Sequence, residues 1–261
     1  MKPNQKPLLT LLSIIIILTL INTVEAAPPI INLTTKPVHN LGEKITITGN
    51  ITSDGSPITD ALVTVQVLNP RNETIALRSL TTGTNPPSSN TPMEILEFYP
   101  CDSAGNPKYT FKRSGDMGFK IKIKNNAATS YTIIVPIYIQ YSNELPFKVF
   151  EIYFGTIEPG ETKSIGTWPV PIPSDAPLGT TKAYANVIDK YPNNNGRAYA
   201  LEKETTFQIT ASTSSTSYSS TQTQTTEGTF TISFVTNPYG GILGNYTIHA
   251  TSLYLPSVGC N

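Results

Sequence analysis

Apolar and polar residues alternate with a period of two along most of this chain. Ile45 and Ile47 interleave with Thr46 and Thr48, and Ala61, Val63, Val65 and Val67 with Leu62, Thr64 and Gln66. Phe119, Ile121 and Ile123 alternate with Lys120, Lys122 and Lys124. Residues i and i+2 share one face of a strand, so each run predicts a β-strand with an apolar face turned toward a core. Turn formers punctuate the runs: Asp54-Gly55, Asn69-Pro70 and Pro159-Gly160. Past the first 26 residues no stretch repeats apolar residues at helical spacing, so the expected fold class is all-β.

The strands fall into two groups. Ile45 to Gly49, Ala61 to Val67 and Glu73 to Leu80 form a first series, which ends in the polar, proline-rich stretch Gly83 to Pro92. An open set of so few strands would leave unpaired edges and an uncovered apolar face. Far downstream, Phe230, Ile232 and Phe234 alternate, as do Tyr246, Ile248 and Ala250 beyond the turn Asn237-Pro238-Tyr239-Gly240-Gly241, which predicts a closing hairpin. On this reading residues 28–83 and 226–257 make one discontinuous outer sandwich, residues 92–210 an inserted one, and residues 211–227 a Ser/Thr-rich linker. The alternative is a tandem of two domains followed by an unrelated hairpin tail.

The first series begins at Lys36-Pro37 and carries Gly42-Glu43, Gly49 and Pro57-Ile58 before the alternating valines; the late segments carry Gly228-Thr229-Phe230 and Leu243-Gly244-Asn245-Tyr246. Joined, these segments resemble a macroglobulin (MG2)-like immunoglobulin-like domain. Related modules run straight from the fourth strand into the Gly-x-Phe strand, whereas about 145 residues intervene here. The intervening segment has strands at Met93 to Tyr99, Tyr109 to Phe111, Tyr131 to Tyr141, Pro146 to Phe154 and Lys182 to Ile188, closing on Phe207 and Ile209. With its Pro159-Gly160-Glu161-Thr162 turn and Ala176-Pro177-Leu178-Gly179 passage it resembles the CARDB or fibronectin-like β-sandwiches, which serve as spacers, adhesion elements or attachments to enzymes. The resemblance implies two immunoglobulin-like β-sandwich domains, the second inserted into the first. It transfers a fold rather than a ligand.

The cellular address comes from the start of the chain. Lys2 and Lys6 precede the apolar run Leu8 to Ile21 and the small-residue pattern Val24-Glu25-Ala26, so residues 1–26 read as a secretory signal and the mature chain as starting at Ala27. A retained anchor is the alternative, although the run is shorter than the roughly 20 residues a span needs. No later stretch is long and apolar enough, so no membrane span is expected in the mature chain. Asn32, Asn50, Asn72 and Asn245 each open an Asn-x-Thr triplet and are glycosylation candidates in an exported protein. Low charge together with many such triplets resembles archaeal-type secreted surface proteins.

Net charge is 0 and only 14% of residues are charged, which argues against nucleic-acid binding. The two cysteines, Cys101 and Cys260, favour one disulfide in an exported chain; free thiols or cross-links between subunits remain the alternatives. His39 and His249 are the only histidines, and neither lies in a metal-spaced or nucleophile motif. No catalytic residue, metal ligand or cofactor is expected. For recognition, the loop around Tyr191, Asn193, Asn194, Asn195 and Arg197 offers an aromatic, amides and a charge that could stack on and hydrogen-bond a sugar; the same residues also make an ordinary hairpin turn. The expected function is a non-catalytic cell-surface protein for adhesion, envelope association or assembly, with other surface proteins or envelope glycans as partners. An accessory or inhibitor-like subunit of a secreted enzyme or protease system, or a carbohydrate-binding module, is the alternative. The pattern leaves the oligomeric state open.

Overall fold

A computed structural model describes residues 29–83, 91–211, 228–237 and 241–253. The signal segment, nearly all of the Ser/Thr-rich linker and Cys260 lie outside the described residues. The protein is all-β, with strands β1 (Ile30–Thr34), β2 (Lys44–Ser53), β3 (Ser56–Pro57), β4 (Leu62–Leu68), β5 (Thr74–Thr81), β6 (Met93–Cys101), β7 (Thr110–Lys112) and β8 (Asp116–Asn125). These are followed by β9 (Tyr131–Gln140), β10 (Pro146–Ile157), β11 (Thr162–Pro171), β12 (Gly179–Ala185), β13 (Lys203–Thr210), β14 (Thr229–Val235) and β15 (Thr247–Leu253). A 3-10 turn, Pro192–Asn194, is the one helical element among the described residues.

The strands form four sheets. Sheet I runs β1-β2-β14 with β3 on β2; sheet II runs β15-β4-β5; sheet III runs β10-β9-β12-β13-β7; sheet IV runs β11-β8-β6. At the β2–β3 turn Asp54 and Gly55 both have positive φ, 50° and 76°, the geometry that matches the twist of a two-residue hairpin. Sheets III and IV enclose one core: Ile133, Val135, Ile137 and Phe207 meet Phe119, Ile121, Ile123 and Met117. Sheets I and II enclose a second, where Ile45, Ile47, Phe230 and Phe234 meet Val63, Val65 and Val67. In this second core Phe230 stands opposite Gly49 and lays its ring where a Cβ on Gly49 would sit, so glycine makes room for the aromatic across the ladder.

The expected closing hairpin is corrected. β14 pairs antiparallel with β2 in sheet I and β15 pairs antiparallel with β4 in sheet II, so the two late strands join opposite sheets. Each strand fills an edge that the earlier strands leave open.

β4 is buried at every position. Val63, Val65 and Val67 face sheet I, while Leu62, Thr64 and Gln66 lie on the opposite face, which a strictly one-sided sheet would leave wet. That second face is covered by the segment between β12 and β13, whose Ile188 and Ala198 pack with Leu62 and Leu77. Two polar groups under this cover are matched: Gln66 Oε1 accepts the Asn193 N–H at 2.9 Å, and Thr64 Oγ1 accepts the Ala198 N–H at 3.0 Å.

Candidate functional site

Two places concentrate chemistry. The first is the seam between the two sandwiches, built on β5. Arg78, on the β5 position paired with Val65, is 16% exposed and forms a forked ion pair with Glu202, 10% exposed. Arg78 Nε donates to both carboxylate oxygens at 2.9 Å, and Nη2 donates to Oε1 as well. Glu202 Oε2 also accepts the Ser79 N–H at 2.9 Å, so the carboxylate caps a backbone donor on the β5 edge. The guanidinium lies 3.6 Å from the centre of the Tyr184 ring, which stacks on Tyr138 with centroids 5.7 Å apart. Burial alone would disfavour the charge on Arg78, but attraction to and hydrogen bonding with Glu202 outweigh it and hold the pKa above the usual value. Burial raises the hydroxyl pKa of Tyr138 and Tyr184, partly offset by Arg78. Both tyrosines come from sheet III yet belong to the core of sheets I and II. On the other flank, Gln140 Nε2 donates to Ser233 O at 3.0 Å and Glu144 O accepts the Val235 N–H at 3.0 Å.

The second place is a cavity of about 480 Å³ at one end of the sandwich formed by sheets I and II, within the roughly 300–1,000 Å³ range of small-molecule pockets. Ile45 and Phe234 from sheet I and Val67 and Ile248 from sheet II form its walls, so it is continuous with the core. Val38, 71% exposed, and Leu243, 80% exposed, stand among its lining residues. The loop on one side is pinned at several points. Glu43 accepts from Lys36 Nζ at 2.7 Å and from the Asn40 N–H at 2.8 Å, while Gly42 N–H donates to the carbonyl and hydroxyl oxygens of Thr236, each at 3.0 Å. The hydrogen bond from Lys36 is the main cause that lowers the Glu43 carboxyl to about 2. Thr35 Oγ1 and both His39 ring nitrogens are buried without a hydrogen-bond partner, although His39 Nδ1 lies 3.4 Å from Glu43 Oε1. The lining supplies apolar contact and a few polar atoms.

The residues singled out from the sequence are placed as follows. Tyr191 is half-buried and packs against the cluster containing Leu62 and Leu77; burial raises its hydroxyl pKa, with Glu151 adding to the shift. Its neighbours Asn193, Asn194, Asn195 and Arg197 are exposed. Asp189 Oδ1 accepts the Arg197 N–H at 2.6 Å and shapes the loop, while Thr251 Oγ1 donates to Gly196 O and ties it to β15. The loop therefore spends its aromatic on the seam. Asn32, Asn50, Asn72 and Asn245 are all exposed; the first two lie on β1 and β2, Asn72 in the β4–β5 turn at φ 60°, and Asn245 beside the cavity. Cys101 is buried at the end of β6 and unpaired among the described residues, and burial raises its thiol pKa; its expected partner Cys260 lies outside them. Among the described residues no three His, Cys, Asp or Glu side chains group as a metal site, and no helix is long and apolar enough to cross a membrane.

Sequence reasoning did not find the cavity or the ion pair. Val38 and Leu41 in a polar loop were the only local signal for the first. Arg78 and Glu202 are 124 positions apart, so nothing local signalled the second.

No family model matches the chain, and no curated protein does. Among solved structures it is similar to the C-terminal domain of wzt, with 12% identity, TM-score 0.39, and coverage of 52% of this chain and 92% of that one. It is also similar to the alkylpurine DNA glycosylase AlkC of Pseudomonas fluorescens, with 14% identity, TM-score 0.37, and coverage of 47% of this chain and 32% of that one. A Niemann-Pick type C2 protein from the Japanese carpenter ant matches with 8% identity, TM-score 0.34, and coverage of 49% of this chain and 96% of that one. At these TM-scores the likenesses carry no functional argument.

Proposed function

We propose that the protein is an exported, non-catalytic component of the cell surface that serves adhesion, envelope association or assembly. Its architecture would be a macroglobulin-like outer sandwich, residues 28–83 and 226–257, holding a CARDB-like insert, residues 92–210. The strand pairing supports this division: β14 and β15 pair with β2 and β4, whereas β6 to β13 pair only with one another. The observation that carries the functional reading is the outer face of sheet I. There Thr46, Thr48 and Asn50 of β2 stand beside Thr34 and Asn32 of β1 and Thr231 and Ser233 of β14, a field of hydroxyls and amides with one charged pair, Lys44 and Glu144, at its end. Such a face remains wet with little charge and suits contact with glycans or with other polar envelope surfaces. The seam suits a rigid spacer, because Tyr138 and Tyr184 of sheet III are buried in the core of sheets I and II, and apolar burial across an interface opposes the domain motion that is otherwise the default.

The test is fractionation of the source cells. Recovery in the envelope, beginning near Ala27 and co-purifying with surface polymers or surface proteins, is expected. Recovery in the cytosol with residues 1–26 intact would refute the reading, and stoichiometric co-purification with a hydrolase would favour an accessory subunit.

A further inference from the structure

The register of sheet I sets two of the four Asn-x-Thr triplets against each other. Asn32 on β1 is the direct cross-strand partner of Asn50 on β2, so both amides leave the same exposed face. Directly opposed residues have Cβ atoms about 4.5–5.5 Å apart. A sugar ring with its hydroxyls is broader than the strand spacing of about 4.7–4.9 Å, so a first sugar on one asparagine lies over the other. Asn50 has no free side to turn to, because Thr229 of β14 flanks it across the other ladder.

We propose that Asn32 and Asn50 form a single-occupancy glycosylation pair, in which Asn32 carries the glycan and Asn50 is modified only when Asn32 is not. This rests on the reading of the chain as an exported protein. The transfer forms a bond between the asparagine Nδ2 and C1 of the first sugar. It breaks the C1–O bond to a lipid-phosphate-linked oligosaccharide, releases the lipid phosphate, and passes one amide proton to a base on the transferase.

Strand position sets the preference. β1 is a five-residue edge strand hydrogen-bonded on one side, whereas β2 has ten residues and is paired on both sides, by β1 and β14. A transferase must lift its acceptor tripeptide out of the ladder, and a short edge strand opens locally at lower cost than a central one. Modification of both before folding would place two glycans on opposed positions of one ladder, and such chains would not close the sheet. A glycan on Asn32 also shields the open edge of β1, where Ile30 and Leu33 are exposed, against pairing with another chain. Asn72 and Asn245 sit outside the strands, so neither is held opposite another asparagine in a ladder.

Asn72→Gln/Asn245→Gln protein, made in the source cells and weighed intact by mass spectrometry, isolates the pair. One glycan mass is expected, on the peptide containing Asn32, with no doubly modified species. Adding Asn32→Gln should move that glycan to Asn50, and adding Asn50→Gln should leave it in place. A two-glycan species, or a bare Asn50 in the Asn32→Gln protein, overturns the pairing. A parent protein modified at Asn72 and Asn245 but bare at both paired sites also overturns it, while one bare at all four refutes the exported-glycoprotein reading together with it.

Discussion

Replacing Glu202 with Gln is the sharpest test of the seam. The amide keeps the shape and an acceptor for the Ser79 N–H, but leaves the Arg78 guanidinium, 16% exposed, without a counter-ion. Breaking a buried pair on one side costs about 3–5 kcal/mol, because an uncompensated charge stays behind. Residual exposure of the two side chains, 16% and 10%, trims this cost, because solvent screens the stranded charge. A net loss of about 2–4 kcal/mol follows. At about 2–4 °C per kcal/mol for a chain of this size, the melting temperature should fall by roughly 4–16 °C. Arg78→Met should cost a similar amount by stranding the carboxylate. Arg78→Met/Glu202→Gln, which removes both charges and keeps the Ser79 acceptor, should return to within about 1–2 kcal/mol of the parent, since an apolar replacement of a buried pair is often close to neutral. Urea denaturation followed by circular dichroism gives all four corners of the cycle. Singles within about 0.5 kcal/mol of the parent, or strictly additive effects, would refute the reasoning.

Further outcomes are open to measurement. Gly49→Ala would push its new Cβ into the Phe230 ring and should cost about 1–3 kcal/mol; Gly49→Ala/Phe230→Leu should recover part of it, and an unchanged denaturation midpoint for the single variant would show that the ring moves freely. Glu43 has its pKa lowered to about 2, so its contribution is present above the unfolded carboxyl range and lost as pH falls through about 2. Protection of the Asn40 amide, taken as its exchange rate relative to the intrinsic rate at each pH, should hold at pH 4 and fall toward pH 2, and a flat protection profile would count against the Glu43 contact. Gly196→Ala would collide with the Lys190 carbonyl and lift the loop off β4 and β15, so the proteolysis rate of the folded protein around residues 189–197 should rise; resistance equal to the parent would sink that account.

Local pattern carried the strands, and contact between strands carried most of what the pattern left out. The valines of β4 and the isoleucines of β2 and β8 face cores as their alternation indicates, with Lys120 exposed and Lys122 held 3.3 Å from Glu97 on the outer face of sheet IV. The period does not say what covers the second face, so the burial of Thr64 and Gln66 was invisible: their cover lies more than a hundred residues downstream. Phe230 and Tyr246 suggested a hairpin because sequence neighbours commonly pair, yet each strand meets a different open edge. Tyr191 looked available for a ligand because loop aromatics often are, and packing against Leu62 and Leu77 claimed it. Tyr138 and Tyr184 read as ordinary strand positions until their rings are seen in the neighbouring sandwich's core.

The pairing of β14 with β2 and of β15 with β4 also sets a timetable. β5 ends at Thr81 and β14 begins at Thr229, so about 145 residues must leave the ribosome before the first sandwich can close. During that interval β2 and β4 each lack a neighbour and Arg78 lacks Glu202. The intervening strands, which pair only among themselves, can fold first and present Tyr138, Tyr184 and Glu202 as a preformed wall. Later strands then close the sandwich against an ordered surface, and the loop-closure entropy is already met by the folded insert.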